Sequence, residues 1–158
     1  MTDFSHINNN QQPSIVNVMD KKISQRRATA KASIELPPLV MQKLTEENFN
    51  TAKGSIIHTA IIAGIMAAKK TGELIPLCHP IGLENCEVEI KFNGNFLDIY
   101  AIAEVEAKTG VEMEAMTAVS IAALTIYDMC KALSHDIIIR EIKLIEKTGG
   151  KNDFKRSE

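Results

Sequence analysis

The sequence predicts an α+β fold of the split βαβ type, in which helices cover one side of a four-stranded antiparallel sheet. Three observations predict it. An alternating run of small apolar residues lies early in the chain, a hairpin signal lies near its middle, and a long Ala-rich stretch sits on either side of that hairpin.

Residues 1–20 hold Asn8, Asn9, Asn10, Gln11, Gln12 and Pro13 with little apolar periodicity, and they read as a flexible or clamped arm. From Arg27, RATAKASIEL sets Ala28, Ala30, Ala32, Ile34 and Leu36 on alternate positions, the pattern of a strand with one buried face, until Pro37 and Pro38 end it. LVMQKLTEENF follows as a short helix. Ser55 to Lys70, SIIHTAIIAGIMAAKK, is apolar nearly all round and predicts a helix buried on several sides, closed by Thr71-Gly72.

After a loop holding LIPLCHP, the segment CEVEIKF alternates Cys86, Val88, Ile90 and Phe92 against Glu87, Glu89 and Lys91. It meets Asn93-Gly94 and a second alternating run, FLDIYAIAEVE. Asn-Gly accepts the positive φ of a tight turn, so the two runs predict a hairpin. Lys108-Thr109-Gly110 then precedes VEMEAMTAVSIAALTIYDMCKAL, the strongest helix of the chain, and IIIREIKLIEK supplies a last strand. The tail KTGGKNDFKRSE reads as loop. The order β-α-α-β-β-α-β is that of a ferredoxin-like fold, expected here as one domain over residues 1–158 with an arm at 1–20 and a tail at 148–158. No internal repeat interrupts it.

A chain of 158 residues with 45% apolar and 24% charged side chains can bury one core without staples or a structural metal. Lys plus Arg total 18 against 20 Asp plus Glu, and the net charge of −2 gives no general attraction to nucleic acid or anionic membrane. Any anionic ligand must therefore be held by locally placed cations. Cys78, Cys86 and Cys130 are odd in number and lack CxxC spacing, which points to a reducing compartment. The polar start lacks a secretory pattern, and the run from Ile56 to Ala68, broken by His58 and Thr59, is short of the roughly 20 residues of a membrane span. The expectation is a cytoplasmic protein.

Two places could hold chemistry. Cys78 and His79 adjoin in a Pro-flanked turn, but with only Cys86 near they lack the spaced ligands of a zinc site, so no metal is expected. Successive residues also seldom align a thiol with its base, which leaves substrate contact as the open role for this loop. The second place is Lys108, Glu112, Glu114, Asp128 and Lys131. Asp128 and Lys131 share a helix face, as an ordinary surface pair would, yet they sit in a core-like stretch where charges are usually paired or functional. Glu112 and Glu114 lie on opposite sides of a helix, so if both serve one site GVEME is not yet helical. Glu114 and Asp128 share a face about 21 Å apart, too far for one small substrate within one subunit. Among the cations, Lys53-Gly54 and Lys147-Thr-Gly-Gly-Lys151 stand out, because Gly lets backbone amides approach an anion; neither has P-loop spacing.

At IPLCHP, KTGVEMEAMTA and ALTIYDMCKA, with support from FSHIN, KG…TA.IAGI.AAK and KTGGK, the sequence resembles the cyclic pyranopterin monophosphate synthase family, molybdenum cofactor biosynthesis protein C. The match runs from about His6 to Phe154. The resemblance implies a cytoplasmic lyase that converts (8S)-3′,8-cyclo-7,8-dihydroguanosine 5′-triphosphate to cyclic pyranopterin monophosphate with release of pyrophosphate. It implies no redox cofactor, with magnesium a companion of the triphosphate at most. It further implies ferredoxin-like subunits paired into dimers and assembled as hexamers with pockets between subunits. By the same resemblance, Leu77, Cys78, His79, Met113 and Glu114 are substrate-binding, Asp128 is catalytic, Lys53 and Lys131 take part in the chemistry, and Arg26, Glu112, Lys147 and Lys151 are further pocket positions.

A triphosphate needs gathered lysines, and ring opening, ring closure and pyrophosphate displacement need proton donors and acceptors. Lys53 and Lys131 are the expected acid/base pair, with Asp128 orienting Lys131. The chain departs from the family at Asn17, usually acidic, at Ser55, usually a carboxylate or amide, at Ile61, often long and polar, and in GGKNDF, which is one residue short. The competing class is a non-catalytic ferredoxin-like ligand-binding or regulatory module, which would show no turnover.

Overall fold

A computed structural model of the chain describes residues 6–8 and 10–157. In chain order its elements are β1 (Ser24–Glu35), α1 (Pro38–Glu46), β2 (Asn50–Thr51), β3 (Gly54–Ser55), α2 (Ile56–Ala68), α3 (Thr71–Leu74), β4 (Asn85–Asn93), β5 (Phe96–Ala107), α4 (Glu112–Cys130), β6 (Ile138–Thr148) and β7 (Phe154–Lys155). The mixed α+β architecture keeps the expected order of its main elements, with a separate two-stranded sheet, β2–β3, added between α1 and α2.

The alternating residues form β1, the central strand, antiparallel to β5 on one side and to β6 on the other. Ala28, Ala30, Ala32 and Ile34 are at most 1% exposed, as are Leu97, Ile99, Ala101 and Ala103 of β5. This face packs against α4, which also lies against α2. Small residues on the strands let α4 come close, and its own Ala115, Ala118, Val119, Ala122, Ala123 and Ile126 are fully buried. The two helices approach so closely that a Cβ on Gly64 would stand 2.9 Å from the Ala118 carbonyl. By length and composition α4 could cross a membrane, but half of it is buried in this core.

The opposite sheet face is charged and internally paired. Lys31 lies 3.1 Å from Asp98, whose other oxygen accepts the Ser33 hydroxyl at 2.7 Å, and Arg27 pairs with Glu104 at 3.1 Å. Burial would raise the Asp98 pKa, but the Ser33, Lys31 and Asn93 hydrogen bonds outweigh it and hold the carboxyl below its ordinary value.

The structure corrects four details. The sheet has five strands, in the order β4-β5-β1-β6-β7, because Phe154 and Lys155 of the expected loop pair with Lys147 and Glu146. Two residues are too few for alternation to reveal a strand. The hairpin turn is Gly94-Asn95, between the paired Asn93 and Phe96, with a positive φ only at Gly94 (59°), the type II′ pattern. The helix from Ser55 stops at Ala68, and Thr71, buried with its hydroxyl on the Ala68 carbonyl at 2.9 Å, opens the extra turn α3 that contains Gly72. Finally, α4 starts at Glu112, so Glu112 and Glu114 are both helical.

Candidate active site

A cleft of about 570 Å³ opens at the N-terminal end of α4. Its floor is the first turn of that helix, where backbone N–H groups lack helical partners and the helix dipole favours negative charge. One wall is the Leu77-Cys78-His79 loop. Another is formed by β1 and β6, whose antiparallel register sets Ala28 opposite Lys147 and so brings Arg26 and the Lys147–Lys151 turn to one edge.

That turn is fixed by its backbone. Gly149 has φ 83°, and a Cβ there would meet the Gln25 carbonyl oxygen at 1.8 Å, so no other residue fits. Its carbonyl accepts the Ser24 hydroxyl at 2.8 Å and its N–H donates to Asp153 at 3.0 Å. Lys147 Nζ lies 2.9 Å from Glu112 Oε1, and Arg26 Nε donates to the Ala107 carbonyl at 3.3 Å.

Six Lys and Arg residues line the cleft against two Glu, with the Arg27 side chain held to Glu104 and that of Lys147 to Glu112. Local gathering thus overcomes the net charge of −2, and the cleft can hold a small polyanion. Glu114 is 2% exposed, and burial pushes its carboxyl up to about 7, with the Glu112 charge adding to the effect. The Cys78 thiol is raised by burial and by Glu114, which disfavours the thiolate that a nucleophile or metal ligand requires.

All nine residues expected to bind substrate line this cleft: Arg26, Leu77, Cys78, His79, Glu112, Met113, Glu114, Lys147 and Lys151. Both glutamates do so from a helical first turn, because Glu112 reaches outward to Lys147 while Glu114 is buried. The requirement of an extended GVEME was therefore wrong.

The other three candidates stand elsewhere. Asp128 and Lys131 occupy the C-terminal end of α4, with Nζ 2.6 Å from Oδ1. Their side chains are 67% and 54% exposed, so the expectation of charges inside a buried stretch fails. The exposed face of α4 simply surfaces there. Asp128 lowers its pKa chiefly through its hydrogen bond and charge interaction with Lys131, and Lys53 is near enough to contribute. Lys131 is in turn raised by Asp128. The three form one cluster on a single chain, distant from the cleft.

The arm supplies lining that the sequence did not disclose. His6, Val16, Val18 and, just beyond it, Lys21 face the cleft, beside Lys108, which the sequence had singled out. The alternation in Ile15–Val18 was the available signal, too short to register. The departures from the family also find local roles. Asn17 Oδ1 accepts the Met19 N–H at 2.9 Å, Ser55 caps α2 by accepting the His58 N–H at 3.3 Å, and half-buried Ile61 packs on the core.

An α+β protein with a cationic cleft at a helix N-terminus and a separate Lys-Asp-Lys cluster is thus defined. The MoaC family profile matches residues 15–150, and the chain belongs to that family. It is 46% identical to the molybdenum cofactor biosynthesis bifunctional protein of Synechocystis sp. over 98% of its own length, which spans 46% of the length of that relative. It is also 46% identical to a cyclic pyranopterin monophosphate synthase of Xanthomonas campestris pv. campestris and 47% identical to one of Xanthomonas axonopodis pv. citri. Each of those alignments covers 96% of this chain and 92% of the relative.

Proposed function

We propose that the chain acts as a cyclic pyranopterin monophosphate synthase in molybdenum cofactor biosynthesis, a lyase that takes (8S)-3′,8-cyclo-7,8-dihydroguanosine 5′-triphosphate to cyclic pyranopterin monophosphate and pyrophosphate. The observation that carries this reading is the convergence of nine expected binding residues on one cleft with a threefold excess of cations over carboxylates. Family membership supports it.

In this reading the triphosphate lies against Arg26, Lys147 and Lys151, and the purine-derived ring lies towards Leu77, His79 and Met113. A substrate hydroxyl attacks the α-phosphorus, the bond to the bridging oxygen breaks, and pyrophosphate leaves; the hydroxyl proton passes to a base. Lys53 and Lys131 are the acid/base pair. Asp128 orients Lys131 and keeps it protonated, as the donor, while Glu114, poised near 7, exchanges protons within the cleft.

The two groups of residues meet across a second copy of the chain. Leu124, Ile62 and Met66 leave apolar surface on the outer side of the α2–α4 pair, each more than half exposed. An antiparallel two-fold pairing there would set Glu114 of one copy beside Asp128 of the other. We read the fold as ferredoxin-like, the assembly as a hexamer built as a trimer of dimers, and the location as cytoplasmic. No redox cofactor enters, and any magnesium comes only with the triphosphate.

The test is turnover. Purified protein with magnesium should release one pyrophosphate per cyclised triphosphate consumed. Substrate recovered intact would favour the non-catalytic ligand-binding module instead.

A further inference from the structure

We propose that residues 14–21 form a strap that closes over the cleft, with Asn17 as the positioning residue that shapes it; this rests on the cleft being the substrate site. Residues 14–23 form neither strand nor helix, and among the described residues no backbone hydrogen bond ties 15–23 to the sheet. Yet the segment is ordered by alternation. Val16 and Val18 are half-buried and line the cleft, while Ile15, Asn17 and Met19 point to solvent.

Two latches hold it, and both come from cleft side chains on different loops. The His79 ring meets the Val16 carbonyl, with Nε2 at 2.8 Å, and Lys108 Nζ donates to the Met19 carbonyl at 2.7 Å. Asn17 makes the second latch possible. Its Oδ1 accepts the Met19 N–H at 2.9 Å, and the Lys21 N–H donates to the Val18 carbonyl at 3.1 Å, so consecutive turns direct the Met19 carbonyl at Lys108 and Val18 into the cleft. On the other side, the Ser14 N–H donates to the His6 carbonyl at 3.0 Å and Pro13 bridges Ile7, so the arm folds on itself rather than joining the sheet.

Lifting the strap therefore breaks side-chain latches and leaves the sheet intact. A polyanion entering the cleft passes under residues 16–19, and the latches reform over it, with Val16 and Val18 as the apolar roof and Lys21 and Lys108 at the cationic rim. Asn17 touches no cleft surface itself.

The test compares the full-length wild type, Asn17→Ala and Asn17→Asp by hydrogen exchange and by steady-state kinetics with the cyclised triphosphate. Asn17→Ala should speed exchange of the amides of residues 16–21 about tenfold and raise KM about tenfold with kcat within twofold. Asn17→Asp keeps an acceptor oxygen and should restore both. Exchange and KM both unchanged in Asn17→Ala would overturn the strap, and faster exchange with unchanged KM would overturn its role in closing the cleft. Should the wild type turn nothing over, the reaction assignment fails on its own. Exchange with and without inorganic pyrophosphate then decides the strap: slower exchange of residues 16–21 with pyrophosphate supports it, and no change overturns it.

Discussion

Glu114 and Asp128 stand on one helix about 21 Å apart, the first 2% exposed beneath the Cys78 loop and the second open to solvent beside Lys131. A straight helix cannot bring its two ends to one small molecule. If both carboxylates serve one reaction, the missing half of each site comes from another copy of the chain.

Lys53→Ala and Lys131→Ala should each abolish pyrophosphate release. Each removes a cation and a proton carrier, and both side chains are exposed, so the melting temperature should stay at the wild-type value. Turnover of either variant within tenfold of wild type would contradict the acid/base assignment.

Glu114 should leave a signature in the pH dependence of stability. Its carboxyl titrates near 7 in the folded chain and near 4.5 unfolded, so between those values the folded state holds the proton that the unfolded state has lost. The resulting stabilisation is full below about pH 4.5 and is lost as pH rises through about 7, amounting to at most about 3 kcal/mol. Glu114→Gln cannot titrate. Wild-type stability relative to that variant, from urea unfolding, should fall between pH 4.5 and 7 and be flat on either side.

Removing metals should not unfold the protein. The Cys78 thiol is raised by burial, and among the described residues no group of three His, Cys, Asp or Glu could hold a metal, so exhaustive chelation should leave the melting temperature unchanged. Activity should return in full with magnesium alone. A drop in melting temperature on chelation would revive a zinc role for Cys78 and His79.

The sheet was legible because its signals are local. Ala28, Ala30, Ala32 and Ile34 repeat at the strand period, and the period itself sets which face is buried. The strand Phe154–Lys155 carries no such repeat, and its pairing depends on the Gly149 turn, whose fit against the Gln25 carbonyl is a tertiary contact. The Cys78-His79 loop, Glu112, Glu114 and Lys147–Lys151 stood out in the sequence, but that they share one cleft was legible only through the resemblance. Arg26 and Lys151 are brought together by strand register, which neither local sequence announces. The exposure of Asp128 was misjudged because the apolar residues around it, among them Leu124, suggested a buried stretch, whereas Leu124 is itself exposed. Apolar surface awaiting a partner and apolar core have the same composition.

Subunit complementation tests the divided site most directly. Glu114→Ala and Asp128→Ala proteins, each inactive, are mixed under conditions that dissociate and reassociate the chains, with exchange verified by a mass tag. Random pairing makes half the dimers mixed, and each mixed dimer holds one undamaged pocket, so about one pocket in four should release pyrophosphate. A mixture as inactive as its components, after verified exchange, would contradict a site shared between copies.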